Sequence, residues 1–241
     1  MYSRIRISAK SALCGAYGKV LPVFSAILAV FVIFSLSNRV FNRFFGETNE
    51  GILAAVAVAG LPLFVAMISP LRLLMQMKHL FLAKGARYCV KPQISFEEGL
   101  KACDLSVRLF FRKLFWLGVF EVIPVCLWLV FLYQIKVSDV SVKAAITVTS
   151  GLSLLAVAGL FFWLIFIQRY SESLFFLACY KDFTAADAIK ESIRKTKNCA
   201  AKIFFFKSGF LPWFLLCLLV FPVFYVVPYY KQSVTCLFLG R

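Results

Sequence analysis

Five long runs carrying almost no charge constrain this chain more than any other feature. They cover residues 20–36, 52–70, 114–132, 144–167 and 204–227. A helix needs about 20 residues to cross a hydrocarbon layer of about 30 Å, and runs of this size meet that need. In lipid every backbone N–H and C=O must be satisfied within its own segment, and the alternating pattern of a β-barrel strand is missing. The expected fold class is therefore all-α: a polytopic transmembrane helix bundle of about five spans, read as a single membrane domain over 1–241. A sixth element, re-entrant within 71–83 or 170–180, is the alternative. Composition agrees, with 62% apolar and 16% charged residues against about 25% charged in a soluble domain, and a mean hydropathy of +0.86.

The first run follows Arg4, Arg6, Lys10 and Lys19, as a secretory signal would, but it is longer than a usual signal core. No small-residue cleavage site follows before Asn38 and Arg39, so it is read as a retained span. Lys and Arg collect on the cytoplasmic side, and in chain order the segments between runs hold 4, 2, 9, 2, 8 and 2 of them when Lys207, at the start of the last run, is counted with the fifth segment. This alternation predicts a cytoplasmic N-terminus and cytoplasmic loops 71–113 and 168–203. With five crossings it leaves the tail 229–241 outside.

The net charge of +16 then faces an anionic leaflet that attracts each basic residue by about 1 kcal/mol. No nucleic-acid partner is expected, because the basic residues are dispersed along membrane flanks and no reading motif is present. The eight cysteines (14, 89, 103, 126, 179, 199, 217 and 236) form no C-x-x-C pair, and His79 is the sole histidine. Zinc sites and a Ser-His-Asp triad lack their parts, and both glycine-rich phosphate-loop patterns are missing. A non-enzymatic protein without metal or cofactor is expected.

Each long basic loop carries a helix-start signal. Ser95 is followed three residues on by Glu98, and Thr184 by Asp187. A hydroxyl at the N-cap and an acid at the third helical position satisfy N–H groups that a helix start leaves unpaired. Eighty-nine positions apart, the segments also match at Arg108 with Lys197, Lys113 with Lys202, and Phe115 with Phe204. Two parallel repeats, each a span, a basic loop and a capped helix running straight into the next span, would explain this. The common need of any cytoplasmic helix entrance for a cap and basic residues explains it equally well.

The capped helices are expected along the interface, Ile189 and Ile193 toward lipid, with a solvated helix as the alternative. Candidate contacts to anionic headgroups or a protein partner are Lys101, Arg108, Arg112, Lys113, Lys190, Arg194, Lys197 and Lys202. Inside the runs Glu121 is the candidate polar site: a buried acid costs a few kcal/mol unless protonated or paired, and Thr147, Thr149 or Ser153 are expected partners. Gly51, Ala55 and Ala59 recur every fourth position, as at close helix contacts.

The segment Ala185-Ala186-Asp187-Ala188-Ile189-Lys190-Glu191-Ser192, the aromatic run into Trp213, Pro228-Tyr229 and the opening Arg6, Ala9-Lys10 and Gly15 resemble an uncharacterised bacterial family of multi-spanning membrane proteins. The likeness is close over 170–238 and looser elsewhere. It implies a bacterial cytoplasmic-membrane location and supplies no catalytic residues. Three function classes are compatible with the sequence: a non-enzymatic membrane protein whose basic cytoplasmic loops engage lipid headgroups, a protein partner or a second copy; a permease component or lipid or small-molecule carrier built from two parallel repeats; and, third, a membrane-embedded enzyme, for which no acid or histidine cluster is present.

Overall fold

The computed structural model describes residues 2–14, 16–45, 50–84, 93–137, 142–217 and 222–240. Among the described residues every regular element is helical: α1 (Tyr2–Leu13), α2 (Tyr17–Phe45), α3 (Glu50–Lys84), α4 (Phe96–Val137), α5 (Val142–Phe166), a 3-10 turn (Ile167–Tyr170), α6 (Ser173–Cys179), α7 (Ala185–Thr196), α8 (Ala200–Ser208), α9 (Leu211–Leu216) and α10 (Val223–Leu239). Four candidate spans, Tyr17–Ser37, Gly60–Ala83, Phe96–Ile135 and Lys143–Cys179, are long and apolar enough to cross a membrane, and the number is up to five if the bent pair Ala185–Thr196 with Ala200–Leu216 is counted as one broken span. The expected all-α bundle is therefore the fold. Cys89 and the side chains of Gly51, Ala55 and Ala59 lie outside the described residues.

The chain builds two long neighbouring hairpins, α2 with α3 and α4 with α5, and α3 also packs on α4. Their apolar flanks stay uncovered: Met67 is 73% and Leu154 75% exposed, with Val122, Ile123, Leu129 and Val157 also open. A soluble chain rarely leaves so much contiguous apolar surface bare; hydrocarbon is the solvent that suits it.

Elsewhere the molecule packs like a soluble core. Leu73 and Leu80 of α3, Ala102 and Leu105 of α4, Ala188 and Ile189 of α7, Ile203 of α8 and Leu237 of α10 form one buried cluster. Each large side chain there contributes about 1.5–3 kcal/mol on burial. We call this region the base.

Both predicted caps are formed. Ser95 Oγ accepts from the Glu98 N–H at 3.2 Å while Glu98 accepts from the Ser95 N–H at 3.0 Å, and Thr184 and Asp187 make the same reciprocal pair. Beyond the caps the two segments diverge. α4 continues unbroken through its apolar half, whereas α7 stops at Thr196 and the chain turns by 89° into α8 and α9. Thr196 Oγ1 donates to Arg169 O at 3.0 Å, as does Ser192 Oγ at 2.7 Å, which ties the end of α7 to the 3-10 turn. The second capped helix thus does not run straight into a span, and the likeness between the proposed repeats ends at their caps.

Ile189 corrects a second expectation. It is 1% exposed, and with Ala185, Ala188, Ser192 and Thr196 it forms a buried stripe at helical spacing. The apolar face of α7 meets the base, not lipid, because Ile193 also packs there.

The run 204–227, expected as one span, is divided among α8, α9 and α10. Pro212 opens α9 and Pro222 caps α10; proline suits a helix start because its fixed φ is helical and its missing N–H would be unpaired there anyway. Phe210 meets the rings of Tyr229 and Tyr230 at 5.8 and 5.3 Å, so α9 and α10 lie face to face. α10 then packs along α1, with Tyr229 Oη donating to Arg6 O at 3.4 Å. The tail therefore shares the end of the molecule that holds the N-terminal helix, against the expectation that it lies on the opposite side. The segments 71–83 and 170–180 continue α3 and form α6, respectively, rather than separate re-entrant pieces.

Candidate functional site

The second half of α3 presents Arg72, Gln76 and His79 at spacings of four and three, which puts all three on one helix face. α10 answers with Lys231, Gln232 and Thr235. Gln76 Nε2 donates to Thr235 Oγ1 at 3.1 Å. His79 Nδ1 lies 2.6 Å from Gln232 Oε1, and Gln232 Nε2 donates to His79 O at 3.3 Å. The amide oxygen can only accept, so the proton of the neutral ring sits on Nδ1. His79 Nε2 is left buried without a partner. This ladder pins α10 to α3 and holds Lys231 in register with Arg72.

Between α2, α3 and α10 lies a cavity of about 210 Å³. Its wall follows α3 from Phe64 to Gln76, about 18 Å at 1.5 Å per residue. One end is aromatic: Phe31 meets Phe64 edge-on at 5.0 Å, and Phe31 is 49% exposed on the apolar flank. The other end holds Arg72, Gln76 and Lys231. A second cavity of about 170 Å³ on the far side of Arg72 is lined by Ser106 and Lys113 of α4 and Leu174 of α6.

Lys207 of α8 completes the group. Its Nζ donates to Gln168 Oε1 at 2.8 Å, and it lies within electrostatic reach of Lys231, Lys113 and the carboxylate of Glu172. Four cations from four helices thus converge with one acid nearby. The ion pairs Glu97–Lys101, Asp104–Arg108, Glu98–Lys181 and Glu191–Arg194 lie outside this group. The Lys231 ammonium, on a helix outside the candidate spans, is pushed down to about 8 by burial first and then by the charges of Arg72 and Lys113.

No family model, curated protein or solved structure matches this chain. Its chemistry has to be read from the site itself.

Of the residues singled out from sequence, Lys113 alone reaches this interior. Lys101 pairs with Glu97 at 2.8 Å, Arg108 with Asp104 at 2.7 Å and Arg194 with Glu191 at 2.7 Å. Arg112, Lys190, Lys197 and Lys202 are exposed on the outer faces of α4, α7 and the segment after it. Glu121 stands about 12 Å farther along α4 than Lys113. Its Oε1 is buried without a hydrogen-bond partner, and a Cβ added at Gly159 would come within 2.8 Å of it. The expected bonds to α5 hydroxyls are not made: Thr147 Oγ1 and Ser153 Oγ donate to carbonyls of their own helix, and Gly159 offers Glu121 room instead.

Sequence reading passed over Arg72, Lys207 and Lys231 as three basic residues among many. The signal that marks them is local: each adjoins an apolar or aromatic run, Leu71 with Leu73, Phe204 to Phe206, and Tyr229 with Tyr230.

Proposed function

We propose that this chain is a multi-pass, non-enzymatic protein of a bacterial cytoplasmic membrane, with the base and both terminal helices on the cytoplasmic side, and that the base engages anionic headgroups. The observation carrying this reading is the division of the molecule: bare apolar flanks on the two hairpins, and a packed base whose outer face presents Arg112, Lys190, Lys197 and Lys202. The bacterial setting rests on the family resemblance at 170–238, and the cytoplasmic side on the surplus of Lys and Arg in the base-forming segments.

The test is hydrogen exchange on the protein in nanodiscs of phosphatidylcholine, with and without phosphatidylglycerol. Slower exchange in α7 and the start of α4 when the anionic lipid is present is the expected result; identical exchange in both discs would contradict the reading. Reporter fusions after Met1 and Arg241 are expected to report the same, cytoplasmic, side.

A carrier remains the second reading, and the cavity between α2, α3 and α10 favours it. The parallel repeat that first suggested a carrier no longer supports it, since the second copy breaks after Thr196.

A further inference from the structure

The cations at the cavities, half-buried at Lys113, Lys207 and Lys231 and partly open to the surface at Arg72, pose a problem that the proposed headgroup contacts of the outer face do not solve. Surface Lys and Arg cost nothing to charge, whereas partial removal from water makes the charged form less favourable. Half-buried cations held side by side add their mutual repulsion to that cost. A fold that gathers Arg72, Lys113, Lys207 and Lys231 around two small cavities carries a standing electrostatic demand for negative charge. Glu172 answers part of it, leaving a surplus of cations over carboxylates.

The shape of the larger cavity narrows what the anion is. An inorganic ion would need only the charged end. Here the wall continues for several turns of α3 past Ile68 to Phe64, and the aromatic end meets the exposed flank at Phe31. An apolar wall without an apolar occupant is a loss of contact on one side. Charge at one end and hydrocarbon at the other match a single amphipathic molecule, and basic pockets between membrane helices are suited to lipid head groups.

From this geometry we infer that the cavity between α2, α3 and α10 is a binding site for one phosphate-bearing lipid, its phosphate held by Arg72 and Lys231 and its chain lying along Ile68, Phe64 and Phe31. Lys113 and Lys207 add long-range charge from the opposite side of Arg72. Gln76 and Gln232 are positioning residues: their bonds to Thr235 and His79 fix α10 on α3 and so fix the separation of the two phosphate-holding cations. The inference rests on the membrane reading above, but on different residues from those of the outer face.

Native mass spectrometry of the full chain tests it, after exchange into nanodiscs of phosphatidylcholine containing phosphatidylglycerol and release into mild detergent. Wild type is expected to retain one phosphatidylglycerol per chain, and Arg72→Gln and Lys231→Gln are each expected to lower retention at least tenfold. Lys143→Gln, an exposed cation far from the cavity in sequence, is expected to retain lipid as wild type does. Ile68→Trp fills the apolar half without touching the charge, so it is expected to lower retention too, and it keeps the test open should a charge variant fail to fold. Retention of phosphatidylcholine in place of phosphatidylglycerol, or unchanged retention in all three cavity variants, would overturn the site. Displacement of the lipid by inorganic phosphate at equal concentration would overturn the part played by the apolar wall. Failure of the outer-face reading has its own signature: α7 exchange indifferent to phosphatidylglycerol while wild type still retains one molecule.

Discussion

Two sets of cations in this protein live under opposite conditions. On the outer faces of α4 and α7, Lys101, Arg108 and Arg194 each stand three or four residues from an acid of the same helix. Such pairs are solvated, screened and nearly neutral in their effect on stability. Around the two cavities, the half-buried Lys113, Lys207 and Lys231 and Arg72, which keeps an exposed side, come from four different helices, and Glu172 is the carboxylate beside Lys207. The outer set is local in sequence, each pair closing within about one helical turn. The inner set exists only because the fold assembles it, and its mutual repulsion is expected to cost stability in the empty protein. Like charge gathered at one place is what the proposed lipid site accounts for.

The largest effect should come from relieving the inner set. Lys231→Met is expected to raise the stability of the lipid-free protein by about 1 kcal/mol, as replacement of a half-buried charge by apolar volume can do, read as a higher melting temperature in detergent. A lower melting temperature would erase the contrast.

The same cost shows in pH. Lys231 titrates at about 8 when folded, against an ordinary 10.5. Below about 8 it is charged in both states and the cost is fully present. Between about 8 and 10.5 the unfolded chain binds more protons than the folded one, so stability rises with pH, and beyond that window the cost is gone. Arg72 of α3, Lys113 of α4 and Lys207 of α8 are the charged groups that face it. Melting curves of wild type are expected to climb through this window more steeply than those of Lys231→Met; parallel curves would mean that Lys231 is not under strain.

On the outer set the effects shrink. Thr184→Ala removes the cap of α7 and is expected to cost about 1 kcal/mol, seen as faster hydrogen exchange in α7 with little change in α4. Arg194→Ala breaks the pair with Glu191 and is expected to leave the melting temperature within measurement scatter. A large drop would put Arg194 in the same class as the inner cations and sharpen the boundary between the sets.

Much of the framework was legible in the chain. Uncharged runs of span length predict helices because lipid leaves the backbone no other partner, and the pairs Ser95 with Glu98 and Thr184 with Asp187 predict helix starts because those bonds lie within three residues. The features that escaped depend on contacts distant in sequence. The turn after Thr196 is tied to Arg169 O, and the buried face of α7 is decided by α6 and the 3-10 turn. In isolation α7 has the basic amphipathic pattern of an interfacial helix. The candidate site escaped for the same reason. Counting Lys and Arg by loop weights each one equally, and so Lys190 and Arg194 stood out while Arg72 and Lys231, 159 positions apart, were joined only by the ladder between α3 and α10.

The most direct measurement is the melting temperature of wild type and Lys231→Met, each in phosphatidylcholine nanodiscs with and without phosphatidylglycerol. If the inner cations await a phosphate, the anionic lipid raises the wild-type value clearly and the variant's hardly at all, and the variant is the more stable of the two in phosphatidylcholine alone. An equal rise in both proteins would contradict the site, because the lipid would then be acting through the outer face only.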